Sequence, residues 1–207
     1  IAADFFKTYL WNEAAAEDAR QYLASRDITR DAAEQYGLGF APREIGIFRA
    51  HMETLGFDEA RLLEAGLLVK PDDQSEPRPR FRSRVTFTIY DGHGNPVGFG
   101  GRAMGNVEPK YLNSPETVAF QKGKTLYALN WTKNDIRKAD RVFVVEGYID
   151  ALRLMMGGLN TVVAPLGTAL TDMQASLLTR YTKNVYLLYD SDQAGLKATF
   201  RTGDELL

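Results

Sequence analysis

From Arg141 to Leu207 short apolar strands alternate with helical segments, and that alternation admits few folds. "RVFVV" (141–145) leads to "YIDALRLMMGG" (148–158), "TVVAP" (161–165) to "DMQASLLTRY" (172–181), and "VYLLY" (185–189) to "DQAGLKATFRTGDELL" (192–207). The first member of each pair has the β-branched and aromatic content of a strand, and the second has the length of a helix. Three consecutive strand–helix units predict a parallel sheet flanked by helices. In such a sheet the apolar run Val185–Tyr189 is expected to be buried.

The chain before Arg141 reads differently. Its first seventy residues predict short helices, with Thr29 capping "RDAAEQYG", the "GFAP" stretch (39–42) breaking that helix, and glycines closing "EIGIFRAHMETLG" and "DEARLLEAG". "KPDDQSEPRPR" (70–80) is polar and proline-rich, a boundary candidate or an ordered surface loop. "RVTFTIY", the turn "DGHGN" and "PVGFGGRAM" form a hairpin pattern. The predicted class is therefore α/β: a mixed α+β N-terminal subdomain, residues 1–140, and a mainly parallel, Rossmann-like subdomain, residues 141–207. The opening on Ile1 and the mid-helix close at "GDELL" predict a fragment of a longer chain, with the second sheet truncated at its C-terminus.

With no cysteine and only His51 and His93, disulfides, thiolate sites and a structural zinc centre are excluded, so any metal is a hard cation held by oxygen. No apolar run approaches a membrane span, and no membrane partner is expected. The net charge of −2 conceals segregation: Lys+Arg against Asp+Glu runs 8 to 15 over residues 1–77, 12 to 5 over 78–141 and 5 to 7 over 142–207. A basic block beside a carboxylate-bearing one suits a polyanion that arrives with a metal, although on the counts alone an uneven solvated surface is the better account.

In an open parallel sheet the functional crevice lies beyond the carboxyl ends of the strands. Glu146 follows "VFVV", while Asp190 and Asp192 follow "VYLLY", so three carboxylates can meet on one sheet edge. Like charges this close repel unless a cation lies between them, and Mg²⁺ takes such oxygens as ligands. Helix capping explains one of the two aspartates but not Glu146. Gly147 allows a tight turn and close approach of a ligand to the backbone. Asp150 is either a supporting acid or a solvent-facing helical residue.

The segments "VVEGYIDAL", "APLGTALT" and "YDSDQAG" together resemble the TOPRIM domain of primases, topoisomerases and some nucleases. The resemblance implies that Glu146 is the general acid/base position and that Asp190 and Asp192 are the metal-binding pair. "GFGGR", "PKYLNSPET", "FQKGKTLY" and, upstream, "YLASRDITRDAAEQYGLGFAP" resemble the catalytic core of bacterial replicative DNA primases of the DnaG type, over roughly residues 10–207. Implied are metal-dependent synthesis of short RNA primers from ribonucleoside triphosphates on single-stranded DNA, Mg²⁺ with Mn²⁺ as a substitute, a cytoplasmic place in the bacterial replisome, and a replicative helicase partner through a domain outside this sequence.

Arg82, Arg84, Arg102, Lys110 and Lys122 then become candidates for contacting nucleotide or template, with Tyr111 offering a face to a base or sugar. Glycine-rich strands around them are expected to let backbone approach phosphate. Arg82 and Arg84 also read as plain strand residues on a solvent face. Glu146 is either a metal ligand or the proton acceptor for the attacking 3′-hydroxyl; a neighbouring cation favours the ionised ligand form. Asp27 stands where that family more often has glycine. "GKT" (123–125) is no P-loop, because Val118 occupies a required glycine position, and "GFGGR" lacks a dinucleotide fingerprint. A TOPRIM nuclease uses the same acids and is the alternative enzyme, and an inert nucleic-acid-binding fragment is the non-enzymatic one.

Overall fold

The computed structural model describes residues 1–71, 76–167 and 169–190, and these form two compact units. The first unit comprises residues 1–88 and 97–120; the second comprises 89–96 and 121 onward.

In the first unit five helices precede most of the sheet: α1 (Ala2–Asn12), α2 (Glu17–Ala24), α3 (Arg30–Gln35), α4 (Ile45–Thr54) and α5 (Glu59–Glu64). Thr29 caps α3 by accepting the Ala32 N–H at 3.2 Å, as its sequence predicts, and Gly56 and Gly66 follow α4 and α5 in the left-handed conformation. Asp27, at the position where glycine is commoner, also has a left-handed backbone (φ +59°), which gives that preference its physical reason.

Between α3 and α4 the chain forms a strand that the helix reading missed. β1 (Leu38–Ala41) pairs antiparallel with β4 (Arg84–Tyr90), which hydrogen-bonds β5 (Pro96–Ala103), which in turn pairs with β6 (Tyr111–Asn113). "LGFA" is too short to show a period, and all four residues are buried. Gly39 is required there: a Cβ would sit 2.6 Å from the Phe6 backbone carbonyl carbon, so only glycine lets α1 lie against β1. β4 alternates in sequence, yet Arg84 through Ile89 are all buried, in a strand flanked by β1 on one side and β5 on the other. The core joins Phe6, Phe48, Met52, Leu62, Phe81 and Phe99, with the Phe6 and Phe48 rings stacked at 5.1 Å. Each such side chain contributes about 1.5–3 kcal/mol by leaving water.

Of the two readings of Lys70–Arg80, a boundary or a surface loop, the boundary reading fails, because the segment lies within the first unit. β2 (Leu68–Val69) and β3 (Arg78–Pro79) pair antiparallel inside the first unit, and the Arg80 N–H donates to the Leu67 carbonyl.

The second unit is the predicted parallel sheet. β7 (Val142–Val145) lies between β8 (Val162–Val163) and β9 (Val185–Leu188), both parallel to it. Among the described residues three helices accompany it: α6 (Leu129–Ala139), α7 (Tyr148–Met156) and α8 (Asp172–Leu178). Packing assigns α6 to this unit rather than to residues 1–140, because Leu129 and Ile136 share a core with Val142, Val144, Ala175 and Leu178. β9 is not fully buried as expected. Val185 and Leu187 pack on that core, whereas Tyr186 and Leu188 remain 51% and 44% exposed on the other face at the edge of the described sheet. The predicted helix after Asp192 lies outside the described residues, as does Asp192 itself.

Candidate active site

The parallel register sets the acidic site. Val145 of β7 pairs with Leu188 of β9, so both strands end level and the residues just beyond them emerge on one edge. Glu146 leaves β7 there, and its Oε1 accepts the Asp190 N–H at 2.9 Å. Two carboxylate-bearing residues separated by 44 positions are thereby joined at the crevice where α/β sheets bind ligands.

Asp150 stands in the first turn of α7. Its carboxyl titrates above the usual Asp range, chiefly through partial burial and secondly through the negative charge of Asp190, while hydrogen bonds from the Gly147 and Asp150 N–H groups oppose the rise. Asp150 is thus electrostatically part of the site: the residue reaches solvent, but its carboxyl is partly shielded beside the strand ends. Gly147 caps α7 with extended backbone (φ −143°) that any residue adopts, so no tight turn demands glycine. What glycine provides is room: a Cβ would meet Asp150 Oδ2 at 3.2 Å.

Among the described residues no group of three metal-binding side chains is arranged around one point. The donors present, Glu146 and Asp190 with Asp150 beside them, are all oxygen, which suits a hard divalent cation and not a soft one.

Lys122 opens a single 3₁₀ turn, Lys122–Lys124, in the same unit. The remaining predicted cations belong to the first unit. Arg102 on β5 pairs in register with Tyr111 on β6, and the Lys110 carbonyl accepts the Ala103 N–H at 2.8 Å. Arg102 Cζ lies 3.9 Å from the centroid of the Tyr22 ring, and its Nη1 donates to the Ala103 carbonyl at 2.9 Å, so α2 helps hold the guanidinium. Lys110 and Tyr111 are exposed.

Arg82 and Arg84 separate. Arg82 is exposed in the loop before β4, whereas Arg84 is 4% exposed and donates through Nη1 to the Gly101 carbonyl at 3.2 Å. The solvent-face reading therefore fails for Arg84. The glycines of "GFGGR" also work differently than expected: a Cβ on Gly101 would lie 2.6 Å from Phe81 Cδ1 and 3.1 Å from Arg84 Cδ, and one on Gly98 would crowd Phe120 and Ser114. They admit neighbouring side chains.

Sequence reasoning missed part of this surface. Arg82 and Arg84 line a cavity of about 640 Å³ together with Arg43, Arg78 and Arg80, opposed by Glu108. Arg80 is anchored by two hydrogen bonds to the Asn113 carbonyl, at 2.9 and 3.2 Å. Burial lowers the pKa of both Arg80 and Arg84, with the Arg80 charge adding to the effect on Arg84, yet a guanidinium keeps its proton. The signal was present in the charge excess that begins at Arg78.

A family model described as DNA primase catalytic core, N-terminal domain, matches residues 5–133. The chain belongs to the DNA primase catalytic-core family. A Toprim-like model matches residues 143–207, so the family boundary falls between 133 and 143 while packing places α6 with the parallel sheet. The chain is 40% identical to the DNA primase of Pseudomonas aeruginosa over all of its own length and 31% of that protein's. It superposes on the crystal structure of a DNA primase domain from the same organism with a TM-score of 0.93 and 41% identity, covering 100% of this chain and 64% of that one. It is similar, at a TM-score of 0.83 and 40% identity, to the DnaG primase catalytic domain bound to ssDNA, covering 96% of this chain and 62% of that one. The chain spans about a third of the length of the curated relatives it matches.

Proposed function

We propose that this chain is the nucleotidyl-transfer core of a replicative primase, making short RNA primers on single-stranded DNA. The observation that carries the reading is the Glu146–Asp190 junction at the level ends of β7 and β9. On this reading the 3′-hydroxyl and the triphosphate would meet at that edge.

Glu146, Asp190 and Asp192 would hold Mg²⁺, or Mn²⁺ in its place. The bound cation would supply neutralisation of the triphosphate and of the charge that develops during in-line displacement. Glu146 would serve as a ligand, its carboxylate being held at the strand edge by the Asp190 N–H. Asp150, whose charge interacts with that of Asp190, would add negative potential favouring a cation there.

The chain's own cations bind and orient. Arg102, Lys110 and Lys122 contact the phosphates of the incoming ribonucleotide or the template backbone, and Tyr111 stacks on a base or sugar. The arginine-lined cavity takes template phosphate, with Arg82 reaching out and Arg84 contributing field from inside. Binding should weaken steeply with salt. The same reading gives a cytoplasmic site of action at the replication fork and a replicative helicase as partner; among the described residues no helix is long and apolar enough to cross a membrane.

The test is incubation with labelled single-stranded DNA, four ribonucleotides and Mg²⁺ or Mn²⁺, with products resolved by length. New RNA that falls at least about a hundredfold in Asp190→Asn supports the reading. Shortened DNA would establish the nuclease alternative, and DNA binding indifferent to EDTA with no product would establish an inert binding module.

A further inference from the structure

A three-residue 3₁₀ turn has little stability of its own, yet Lys122–Lys124 is gripped from outside. Gln174 Nε2 donates to the Lys122 carbonyl at 3.0 Å and to the Thr125 carbonyl at 2.7 Å. Thr171 Oγ1 donates to the Gly123 carbonyl at 2.6 Å. From inside the turn, the Lys124 N–H and Thr125 Oγ1 both donate to the Gln121 carbonyl.

The two gripping residues also form the capping box of α8. Thr171 Oγ1 accepts the Gln174 N–H at 3.2 Å, and Gln174 Oε1 accepts the Thr171 N–H at 3.1 Å. A capping box needs only the acceptor of its third residue, so glutamate would serve as well as glutamine. The amide donors are surplus to capping. Here they are spent, in a side chain only 2% exposed, on the backbone of the basic turn.

We propose that Gln174, assisted by Thr171, is the positioning residue for Lys122: the clamp fixes the turn so that the ammonium meets a phosphate group without first ordering its backbone. This rests on the reading of Lys122 as a phosphate contact. A lysine on an unclamped turn would lose that ordering entropy at each binding event and present its charge over a wider range of positions. Gln174→Glu separates the two jobs of the residue, because it keeps the cap acceptor and deletes both donors.

The experiment compares Lys122→Ala, Gln174→Glu and the double variant in the full-length chain. It measures KM for ribonucleotides in primer synthesis, Kd for labelled single-stranded DNA, and the urea midpoint. Lys122→Ala should raise KM or Kd about tenfold, and the constant that moves identifies nucleotide or template as the phosphate donor. Gln174→Glu should reproduce most of that rise, and the double variant should be no worse than Lys122→Ala alone. Independent, additive losses, or a Gln174→Glu protein with normal KM and Kd, would overturn the proposal while leaving the reading of Lys122 standing. Normal constants in Lys122→Ala would overturn both. Should Gln174→Glu fail to fold, Thr171→Asp against Thr171→Ser makes the same separation: the carboxylate keeps a cap acceptor for the Gln174 N–H but deletes the donor to the Gly123 carbonyl and should show part of the Lys122→Ala defect, the serine keeps both and should retain normal constants, and a Thr171→Asp protein with normal constants would overturn the proposal.

Discussion

Gly101→Ala tests the claim that the glycine-rich strand exists to admit Phe81 and Arg84. The substitution has two opposed effects. Alanine restricts the unfolded chain, which by itself stabilises by about 0.4–1 kcal/mol where the backbone is compatible. Gly101 has no positive φ, so that gain is available. Against it, the new Cβ would lie 2.6 Å from Phe81 Cδ1, 3.0 Å from Cε1 and 3.1 Å from Arg84 Cδ, where ordinary contact begins near 3.4 Å. Phe81 is 2% exposed and packs edge-on to Phe99 at 6.0 Å, so its ring has no free volume to enter. Overpacking of this kind costs about 1–3 kcal/mol, and the net expectation is a loss of about 1–2 kcal/mol. Displacing the Arg84 stem should also disturb the arginine-lined cavity and weaken single-stranded DNA binding. Gly46→Ala is the control: nothing lies within 4 Å of its Cβ, and it should stabilise α4 by about 0.5–1 kcal/mol. Urea unfolding of the three proteins, followed by DNA titration, decides the matter. A Gly101→Ala protein as stable as Gly46→Ala, with unchanged DNA affinity, would refute the reasoning.

Asp27→Gly should raise stability by about 0.5–1 kcal/mol by relieving the left-handed backbone, read as a shift in urea midpoint without a change in slope. The pH dependence of the metal-free chain follows from Asp150. Its folded pKa is raised, so the folded state binds the extra proton between the ordinary Asp value and the raised one, and stability falls as pH rises through that window. Asp150→Asn should remove that contribution to the slope in unfolding measured across a pH series with EDTA present; an unchanged slope would count against the assigned environment. Tyr22→Leu should loosen Arg102 and raise the ribonucleotide KM several-fold, while Tyr22→Phe, which keeps the ring face, should not.

Much of the acidic site was legible because it depends on local order. An apolar run followed at once by Glu146, and another followed by Asp190, already places both acids at strand ends, and the strand–helix alternation makes the strands parallel. The caps were legible for the same reason: Thr29, Gly56 and Gly66 act within a few residues of themselves. The basic surface was legible only as a charge excess. Both sequence readings of Arg84, a phosphate contact and a plain solvent-face residue, put its guanidinium at the surface, because alternation along β4 shows two faces but not what covers each of them.

The sequence by itself determined the class of the second unit and the chemistry of its edge, since period, strand length and capping are properties of adjacent residues. Tertiary structure alone decided that "LGFA" is a strand, because its partner β4 begins more than forty residues later and its glycine is needed only where α1 comes to rest. It decided that α6 packs with the parallel sheet and that Arg84 is an interior cation on Gly101. It also decided that Gln174 reaches back across about fifty residues to the turn bearing Lys122. These outcomes turn on volume and hydrogen-bond donors meeting across long separations, and no local pattern encodes them.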